Sequence, residues 1–277
     1  MSILTVLAAA LILAGPGSAL GQTYFFDDFT NGPSPLWENQ RGTWVVDDGV
    51  YFATVPDNLP PTYSSLPYIL ADLDLELDVI AVNDGGVWLH SDAQGNNGVL
   101  LVTGGMSHTG TGFYWHEVVN GGYGGILAPS GSLFSQGATL HLRITVRGDV
   151  YSVYLNGSST PATTLTTSGH HIGRIGLYDF THGQQAFDNV RLNLPCMADV
   201  ATEGSAQPFV DGPDGFVTGT DFDVFVQAFF QEVRRPEPTG PYIADLTNGD
   251  GSGGPDGFIT GSDFDFFVLR FFEGCAG

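Results

Sequence analysis

The chain has 277 residues, and its 30 Asp and Glu residues outnumber its 8 Arg residues so heavily that the net charge is −22. Nucleic-acid affinity depends on clustered cations that neutralise phosphates, so this composition excludes nucleic acid as a partner. An anionic membrane surface should repel the chain for the same reason. The acidic excess suits divalent cations and extracellular solubility, although most of these carboxylates are expected only to face solvent.

An apolar run, LTVLAAALILA at residues 4–14, opens the chain and is followed by Gly-Pro-Gly and by Ala19-Leu20-Gly21. The run is too short to span a bilayer, which needs about 20 apolar residues. It predicts a secretory signal peptide over residues 1–21, cleaved near Gly21–Gln22, although the usual basic segment before it is missing. No other segment reaches transmembrane length, so the protein is expected to be secreted, either extracellular or at the cell surface.

Residues 22–195 contain no Cys and many short β-rich runs, separated by turn signals such as Asp48-Gly49 and Asn156-Gly157. No helix-length periodic segment occurs among them. This pattern predicts an all-β sandwich of the jelly-roll type. The clearest hairpin joins Leu140–Val146 to Val150–Leu155 around Gly148-Asp149.

The order of the phrases in this region resembles the concanavalin A-like (laminin-G-like) lectin/glucanase superfamily, including domains named after 3-keto-disaccharide hydrolases. The resemblance covers about residues 23–193 and is carried by Asp27-Asp28-Phe29, the acidic strand at 72–79, ITVRGDVYSVYLNG at 144–157, and IGLYDF followed by AFDNVRL. It implies the architecture more firmly than any activity, because this fold hosts many functions. Asp188 of AFDNV could bind a structural Ca²⁺ together with Asp27 or Asp28.

The acidic strand reads Asp72-Leu73-Asp74-Leu75-Glu76-Leu77-Asp78. A period of two places the leucines toward the core and the four acids on the other face. Jelly-roll glucanases carry a Glu-x-Asp-x-Glu strand, and the resemblance makes Asp74 and Glu76 the alternative catalytic pair, although Asp72 replaces the first Glu. Retaining hydrolysis needs two carboxyl groups about 5–5.5 Å apart. The preferred interpretation is a solvated face without catalytic residues, on which like charges discourage edge pairing.

Five aromatic and histidine side chains are the candidate carbohydrate-binding residues. Trp88 and His90 share one face of a predicted strand, while Tyr114 and His116 share one face of another, with Trp115 opposite. Exposed aromatic rings stack on sugars, and polar neighbours fix the sugar hydroxyls. The alternative is that these aromatics belong to the core, as most such residues do.

A duplicated phrase is the strongest signal in the chain: PDGFVTGTDFDVFVQAFF at 213–230 returns as PDGFITGSDFDFFVLRFF at 255–272. Each copy matches positions 5, 6, 8 and 12 of an EF-hand-type calcium loop, where carboxylates ligate and Gly makes the sharp turn. A backbone carbonyl at position 7 adds another oxygen. The predicted ligands from these phrases are Asp214, Phe216 and Asp221 in the first copy, and Asp256, Phe258 and Asp263 in the second.

Calcium takes about six to eight oxygen ligands, so each loop needs further donors from upstream. Positions 1 and 3 carry none, which indicates an insertion in each loop. The nearest upstream donors are Asp199 and Asp211 in the first copy, and Asp245, Asn248 and Asp250 in the second. Thr218…Asp221 and Thr260…Asp263 also match capping boxes that could start a helix without metal. Calcium is the preferred interpretation because capping does not explain the Pro-Asp-Gly phrase or its repetition.

Each loop leads into one apolar helical stripe, formed by Phe222, Phe225, Val226 and Phe229 in the first copy and by Phe264, Phe267, Val268 and Phe271 in the second. Two short helices can bury such stripes only against each other, which predicts a small pseudo-symmetric module over residues 196–277. Cys196 and Cys275 bracket this module. If they form a disulfide, it stabilises the module by roughly 4 kcal/mol in the chain-entropy model, and export would supply the oxidising compartment.

This arrangement resembles a dockerin, the paired-calcium-loop module that attaches secreted polysaccharide-processing proteins to a cohesin. More narrowly, it resembles the variant of planctomycete-like bacteria that ends in Gly-Cys, here Gly274-Cys275. The family often contacts cohesin through loop positions 10 and 11. The resemblance therefore implies Thr220 and Ser262 as partner-binding residues, with Gly219 and Gly261 beside them in place of the usual Ser or Thr.

Three hypotheses for function follow. The preferred one is a secreted, lectin-like, non-catalytic β-sandwich that associates with polysaccharide and is anchored through a Ca²⁺-binding dockerin-like module to a cohesin-like or other cell-surface protein. The second is a glycoside hydrolase of polysaccharide catabolism that uses Asp74 and Glu76. The third is a structural cell-surface protein that binds no glycan.

Overall fold

The structure is a computed structural model, and it describes residues 22–105, 110–180, 185–194, 198–200, 217–232, 244–247 and 258–273. The strands are β1 (Gln22–Asp27), β2 (Trp44–Asp47), β3 (Val50–Ala53), β4 (Ser64–Ser65), β5 (Leu73–Ile80), β6 (Gly85–Ser91), β7 (Gly98–Thr103), β8 (Phe113–Val119), β9 (Gly122–Tyr123), β10 (Leu140–Arg147), β11 (Val150–Leu155), β12 (Thr163–Thr166), β13 (Arg174–Asp179) and β14 (Ala186–Leu194), followed by the helices α1 (Gly219–Glu232) and α2 (Gly261–Glu273). Neither helix has both the length and the apolar character that crossing a bilayer requires.

The strands form two antiparallel sheets. The larger has eight strands in the order β12-β11-β10-β5-β14-β3-β2, with β1 also paired to β14. The smaller has six strands in the order β4-β13-β6-β7-β8-β9. Side chains from both sheets meet in one buried cluster, for example Leu75 and Ile144 from the larger sheet with Leu101 and Trp115 from the smaller. This confirms the predicted fold class, a mainly β sandwich followed by helices.

Strand β5 lies at the centre of the larger sheet, and the alternation of apolar and acidic residues along it decides which side chains face the core. Leu73, Leu75, Leu77 and Val79 are fully or almost fully buried, while the acids between them are half-buried on the outer face. Burying one such aliphatic side chain contributes about 1.5–3 kcal/mol relative to leaving it exposed. The predicted alternation of this strand is therefore confirmed.

The predicted β10–β11 hairpin is also confirmed. Arg147 pairs with Val150 across a loop formed by Gly148 and Asp149. Gly148 has a φ of 51°, a left-handed conformation that glycine adopts readily. The turn fixes the register in which Ile144 and Val153 face each other in the core.

The two helices pack through their phenylalanines, as the apolar stripes predict. The rings of Phe225 and Phe267 are stacked with centroids 3.8 Å apart and an interplanar angle of 1°. Phe222 contacts Phe271, and Phe229 contacts Phe264. Because early positions of α1 contact late positions of α2, the helices run antiparallel.

The buried cluster continues from the helices into the sandwich. Leu246 from the segment before α2 belongs to the same cluster as Tyr24 and Tyr68 of the sandwich. Burial raises the pKa of Tyr68 above its usual value, and the negative charge of Asp245 raises it further. The segment 244–247 therefore lies close to the sandwich. The predicted boundary between residues 195 and 196 lies outside the described residues.

Candidate functional site

The acidic side chains of β5 lie on the outer face of the larger sheet, where basic residues neighbour them. Arg147 Nη2 lies 2.9 Å from Asp74 Oδ1, and His141 Nδ1 lies 2.8 Å from Asp78 Oδ1. Glu76 is in register with Arg143 on one neighbouring strand and with Arg191 on the other. The guanidinium groups of these two arginines lie over the rings of Tyr154 and Phe26, at 4.0 and 4.3 Å from the centroids. The acids are thus partly exposed and lie among basic residues. The reason given for them from the sequence, protection of a free sheet edge, is wrong, because β5 is paired on both sides, with β10 and β14.

Four aspartates cluster at one edge of this face. Burial raises the pKa of Asp188, and the charges of Asp78, Asp28 and Asp27 raise it further. Asp27, however, organises the following loop, because it accepts hydrogen bonds from Phe29 N at 2.9 Å and from Trp37 Nε1 at 3.0 Å. In the part of the chain that the structure describes, no group of three or more His, Cys, Asp and Glu side chains is arranged to hold a metal.

The outer face of the smaller sheet carries a second apolar cluster, separate from the core between the sheets. We call it the outer aromatic cluster. It consists of Tyr63, Trp88, Leu100, Val102, Tyr114, Val118 and Tyr178, with Tyr123 and Phe180 packed against it. The strands β13, β6, β7 and β8 supply its members at alternate positions, while their intervening residues, such as Leu89 and Leu101, enter the main core.

The structure separates the five predicted carbohydrate-binding residues. Trp88 and Tyr114 lie in the outer aromatic cluster, where both are buried, so the prediction that their rings stack on a sugar is wrong. His116 is half-buried and contacts Tyr114 with ring centroids 5.3 Å apart. Trp115 is fully buried in the main core, where its Nε1 donates to Thr163 Oγ1 at 3.2 Å. Trp115 therefore offers no ring face to a sugar.

His90 does not share the face of Trp88, because β6 contains a bulge. Gly176 pairs with Trp88 and Arg174 pairs with Ser91, so three steps along β6 match two steps along β13. His90 has a φ of 47° at this bulge, and its Nδ1 lies 2.7 Å from the hydroxyl of Tyr151 in the other sheet. The predicted pairing of His90 with Trp88 on one face is wrong for this reason.

Hydroxyl groups surround the outer aromatic cluster. Burial raises the pKa of Tyr123 to about 12, while its side-chain hydrogen bond with Tyr178 acts in the opposite direction. Burial also raises the pKa of Tyr178 far above its usual value. Tyr63 shares a 2.7 Å hydrogen bond with Ser91 Oγ. The hydroxyls of Tyr123 and Tyr178 therefore remain protonated at neutral pH, and that of Tyr123 donates to Asn58 O at 3.4 Å.

The rim of the cluster is accessible to solvent. Tyr123 and His116 are half-buried, and their rings lie 5.3 Å apart. His116 Nδ1 lies 2.8 Å from the carbonyl oxygen of Gly124. Since a carbonyl oxygen only accepts, Nδ1 carries the proton, and Nε2 of the neutral ring is an acceptor. Trp88 forms the floor: it is fully buried, and its Nε1 has no hydrogen-bond partner within the described structure.

Sequence reasoning did not select Tyr63, Tyr123 or Tyr178. Tyr178 could have been found, because it alternates with Ile175 and Leu177 in the IGLYDF phrase. Tyr63 reaches the cluster from the short strand β4 region, and its ring lies 5.8 Å from that of Trp88. No local pattern in the sequence indicates that contact.

In the helical module, Asp221 and Asp263 are fully buried and hydrogen-bonded at the helix N-termini. Asp221 accepts from Val200 N at 2.8 Å, and from Thr218 N and Oγ1 at 2.7 and 3.1 Å. Asp263 accepts from four donors: the backbone N–H groups of Leu246 and Thr247, each at 2.9 Å, and Thr260 N and Oγ1 at 2.7 and 3.0 Å. The capping boxes that the sequence offered as an alternative are thus present.

Other predicted residues of the module are only partly described. Asp199 and Asp245 are buried beside these contacts, and Phe258 is 70% exposed. Thr220 and Ser262 donate their backbone N–H groups to Thr218 Oγ1 and Thr260 Oγ1, both at 3.2 Å. The residues predicted as ligands or as a disulfide that lie outside the described ranges are Asp211, Asp214, Phe216, Asn248, Asp250, Asp256, Cys196 and Cys275. Calcium binding, partner binding and the disulfide remain predictions.

No protein-family model matches the sequence, and no curated protein matches it significantly. Among solved structures, the chain is similar to the carbohydrate-binding module CBM66 from Bacillus subtilis, at 18% identity and a TM-score of 0.49 over 57% of this chain and 95% of that one. It is also similar to a Bacillus subtilis protein with a galectin-like fold, at 9% identity and a TM-score of 0.48 over 63% of this chain and 96% of that one. A third is toad ovary galectin in complex with thio-digalactose, at 13% identity and a TM-score of 0.36 over 44% and 89%. Identities this low concern the fold alone, and these TM-scores carry no argument about ligand or activity.

Proposed function

We propose that this protein is a secreted, non-catalytic carbohydrate-binding β-sandwich whose glycan docks on the outer face of the smaller sheet. The observation that carries the proposal is the outer aromatic cluster, which is distinct from the core between the sheets. An antiparallel sheet that packs on one side commonly presents polar residues on the other. Tyr63, Trp88, Tyr114 and Tyr178 depart from that pattern and are buried, so they form a base beneath the half-buried ring of Tyr123. A partly exposed ring beside polar groups suits sugar recognition.

The rim supplies the contacts that a glycan needs. Tyr123 and His116 present partly exposed rings to solvent, on which the apolar face of a pyranose can stack. The Nε2 atom of His116 provides an acceptor for a sugar hydroxyl. The hydroxyl of Tyr123 donates to Asn58 O at 3.4 Å, so Tyr123 contributes its ring. Trp88 and Tyr178 belong to the buried cluster against which Tyr123 packs, and they hold the rim in place.

The hydrolase alternative receives no support from the acidic strand. Asp74 already pairs with Arg147, and Glu76 lies between two arginines on the outer face of the larger sheet. The carboxyl groups of a glycosidase flank a bound sugar and differ in environment, one being kept protonated. The ion pair of Asp74 and the position of Glu76 in register with two arginines favour a charge-compensated face over such a pair.

The C-terminal helices support a second part of the proposal, attachment to another protein. The antiparallel pair built from two copies of one phrase is a compact, pseudo-symmetric unit, and the dockerin resemblance suggests a cohesin-like partner at the cell surface.

Export through the N-terminal apolar run is also part of the proposal, because a protein attached at the cell surface must leave the cell. N-terminal sequencing of material from the native host should find a chain that begins near Gln22, and an intact Met1 would contradict export by this route.

A glycan array tests the binding proposal. We expect the full chain to bind one class of neutral oligosaccharide, and Tyr123→Ala to weaken binding roughly fivefold, since stacking of one ring is worth about 1 kcal/mol. His116→Ala should also weaken it. Tyr154→Ala is the matched control, because Tyr154 is a half-buried aromatic on the outer face of the other sheet. Absence of binding to any glycan would favour the structural-protein hypothesis, and equal loss in the Tyr154 variant would place the site elsewhere.

A further inference from the structure

We propose that Asp221 and Asp263 are twin carboxylate clamps that fasten the segments 198–200 and 244–247 to the helix N-termini, and that they are not calcium ligands. These two residues occupy position 12 of the predicted loops, where an EF-hand-type site needs a carboxylate on the ion. The structure assigns both carboxylates to a different task, holding backbone N–H groups. The inference is independent of carbohydrate binding.

The acceptor count of Asp263 carries the argument. An ionised carboxylate has about four lone-pair sites. Asp263 uses Oδ1 for the N–H groups of Leu246 and Thr247, and Oδ2 for both donors of Thr260, at distances between 2.7 and 3.0 Å. All four sites are therefore filled by hydrogen-bond donors, and none remains for a cation.

Asp221 repeats the arrangement in the first copy. Its Oδ2 holds both donors of Thr218, and its Oδ1 holds Val200 N at 2.8 Å. Val200 and Leu246 each follow an Ala-Asp pair, so the same carboxylate oxygen holds the same position of both repeats. Three contacts match between the two copies, and both carboxylates are fully buried, which identifies a repeated feature of the module and not an isolated cap.

The two carboxylates stabilise the module without any metal. Each helix begins with N–H groups that have no partner within the helix, and a carboxylate in its first turn interacts favourably with the helix dipole. The upstream segments 198–200 and 244–247 belong to neither helix nor strand, so the helices' own hydrogen bonds do not hold them. One carboxylate per copy satisfies donors from both elements, so the helix start and the upstream segment are fixed together.

The test uses full-length Asp221→Asn and Asp263→Asn, melted in EDTA and in excess CaCl₂. Asn has a similar shape but loses the charge, and its amide presents hydrogens to the clamped N–H groups. The matched controls are Asp223→Asn and Asp265→Asn, which change exposed acids two residues further along each helix. If the clamps operate, each buried variant should melt roughly 5–10 °C below wild type to the same extent in both buffers, while the controls should not shift.

If Asp221 and Asp263 instead ligate calcium, the melting temperatures should follow a different pattern. A ligand stabilises only when calcium is bound, so the buried variants would then match wild type in EDTA and fall below it only in CaCl₂. That result, or unchanged melting in both buffers, would overturn the inference. Should Asp263→Asn fail to fold, Thr260→Ala removes only one donor of the clamp and carries the same two-buffer comparison with a smaller shift.

Discussion

Replacing Trp115 tests whether this aromatic residue serves the stability of the core or the binding of a glycan. Trp115 is fully buried, its indole N–H donates to Thr163 Oγ1, and its ring contacts Tyr151 at 6.2 Å with an interplanar angle of 65°. Truncating a buried Trp to Ala costs about 3–5 kcal/mol. The lost hydrogen bond and ring contact are each worth about 1 kcal/mol and are not simply additive to that figure. We expect Trp115→Ala to lower the free energy of unfolding by about 4–5 kcal/mol.

The measurement is urea unfolding followed by circular dichroism, paired with glycan affinity under conditions where the variant is folded. Trp115→Ala should lose stability and keep its affinity, whereas Tyr123→Ala should keep most of its stability and lose affinity. Trp115→Phe provides a milder version of the same comparison. A Trp115→Ala protein that unfolds like wild type but no longer binds would refute the assignment of this residue to the core.

Three further predictions concern other parts of the molecule. Asp74→Asn and Glu76→Gln should each change the free energy of unfolding by less than about 1 kcal/mol, because Asp74 lies in a partly exposed ion pair and Glu76 is half-buried in register with two arginines. Any polysaccharide turnover that Glu76→Gln abolishes would contradict the non-catalytic proposal. Burial lowers the pKa of His90 in the folded protein, although its hydrogen bonds to Ala71 and His170 oppose this. Below about pH 6.5 the unfolded chain therefore binds more protons than the folded protein, and the free energy of unfolding should fall as the pH drops. His90→Gln should reduce the slope of this pH dependence. Thr247 Oγ1 is buried with no hydrogen-bond partner within the described structure, so Thr247→Val should leave the melting temperature unchanged or raise it, and a lowered one would show that this hydroxyl binds something.

The sequence predicts well those features that depend on local periodicity. The alternation in β5 places the side chains of Leu73, Leu75 and Leu77 in the core, and the Gly148-Asp149 turn sets the register of the β10–β11 hairpin. The i, i+3, i+4, i+7 stripes likewise predict that the two helices pack through their phenylalanines, whereas their antiparallel direction comes from the structure. In each case neighbouring residues alone determine which face is apolar.

Prediction of the candidate site was weaker because the site depends on long-range contacts. A period of two places Trp88 and His90 together, but the bulge opposite Ile175 turns His90 toward the other sheet. Trp115 and Tyr114 are adjacent in sequence, and only sheet packing decides which of them enters the core. Asp263 fits a calcium loop and a capping box equally well by spacing; the donors at Leu246 and Thr247, 17 and 16 residues away, become visible only in the folded chain.

Hydrogen–deuterium exchange of the full chain, with and without the best oligosaccharide from the array, tests the central claim most directly. Ligand on the outer aromatic cluster should slow exchange in β8 and β9, residues 113–123, because Tyr114, His116 and Tyr123 lie there. The hairpin at residues 140–155 should exchange at the same rate in both samples, since its outer face belongs to the other sheet. Protection of that hairpin without any change at residues 113–123 would contradict the account.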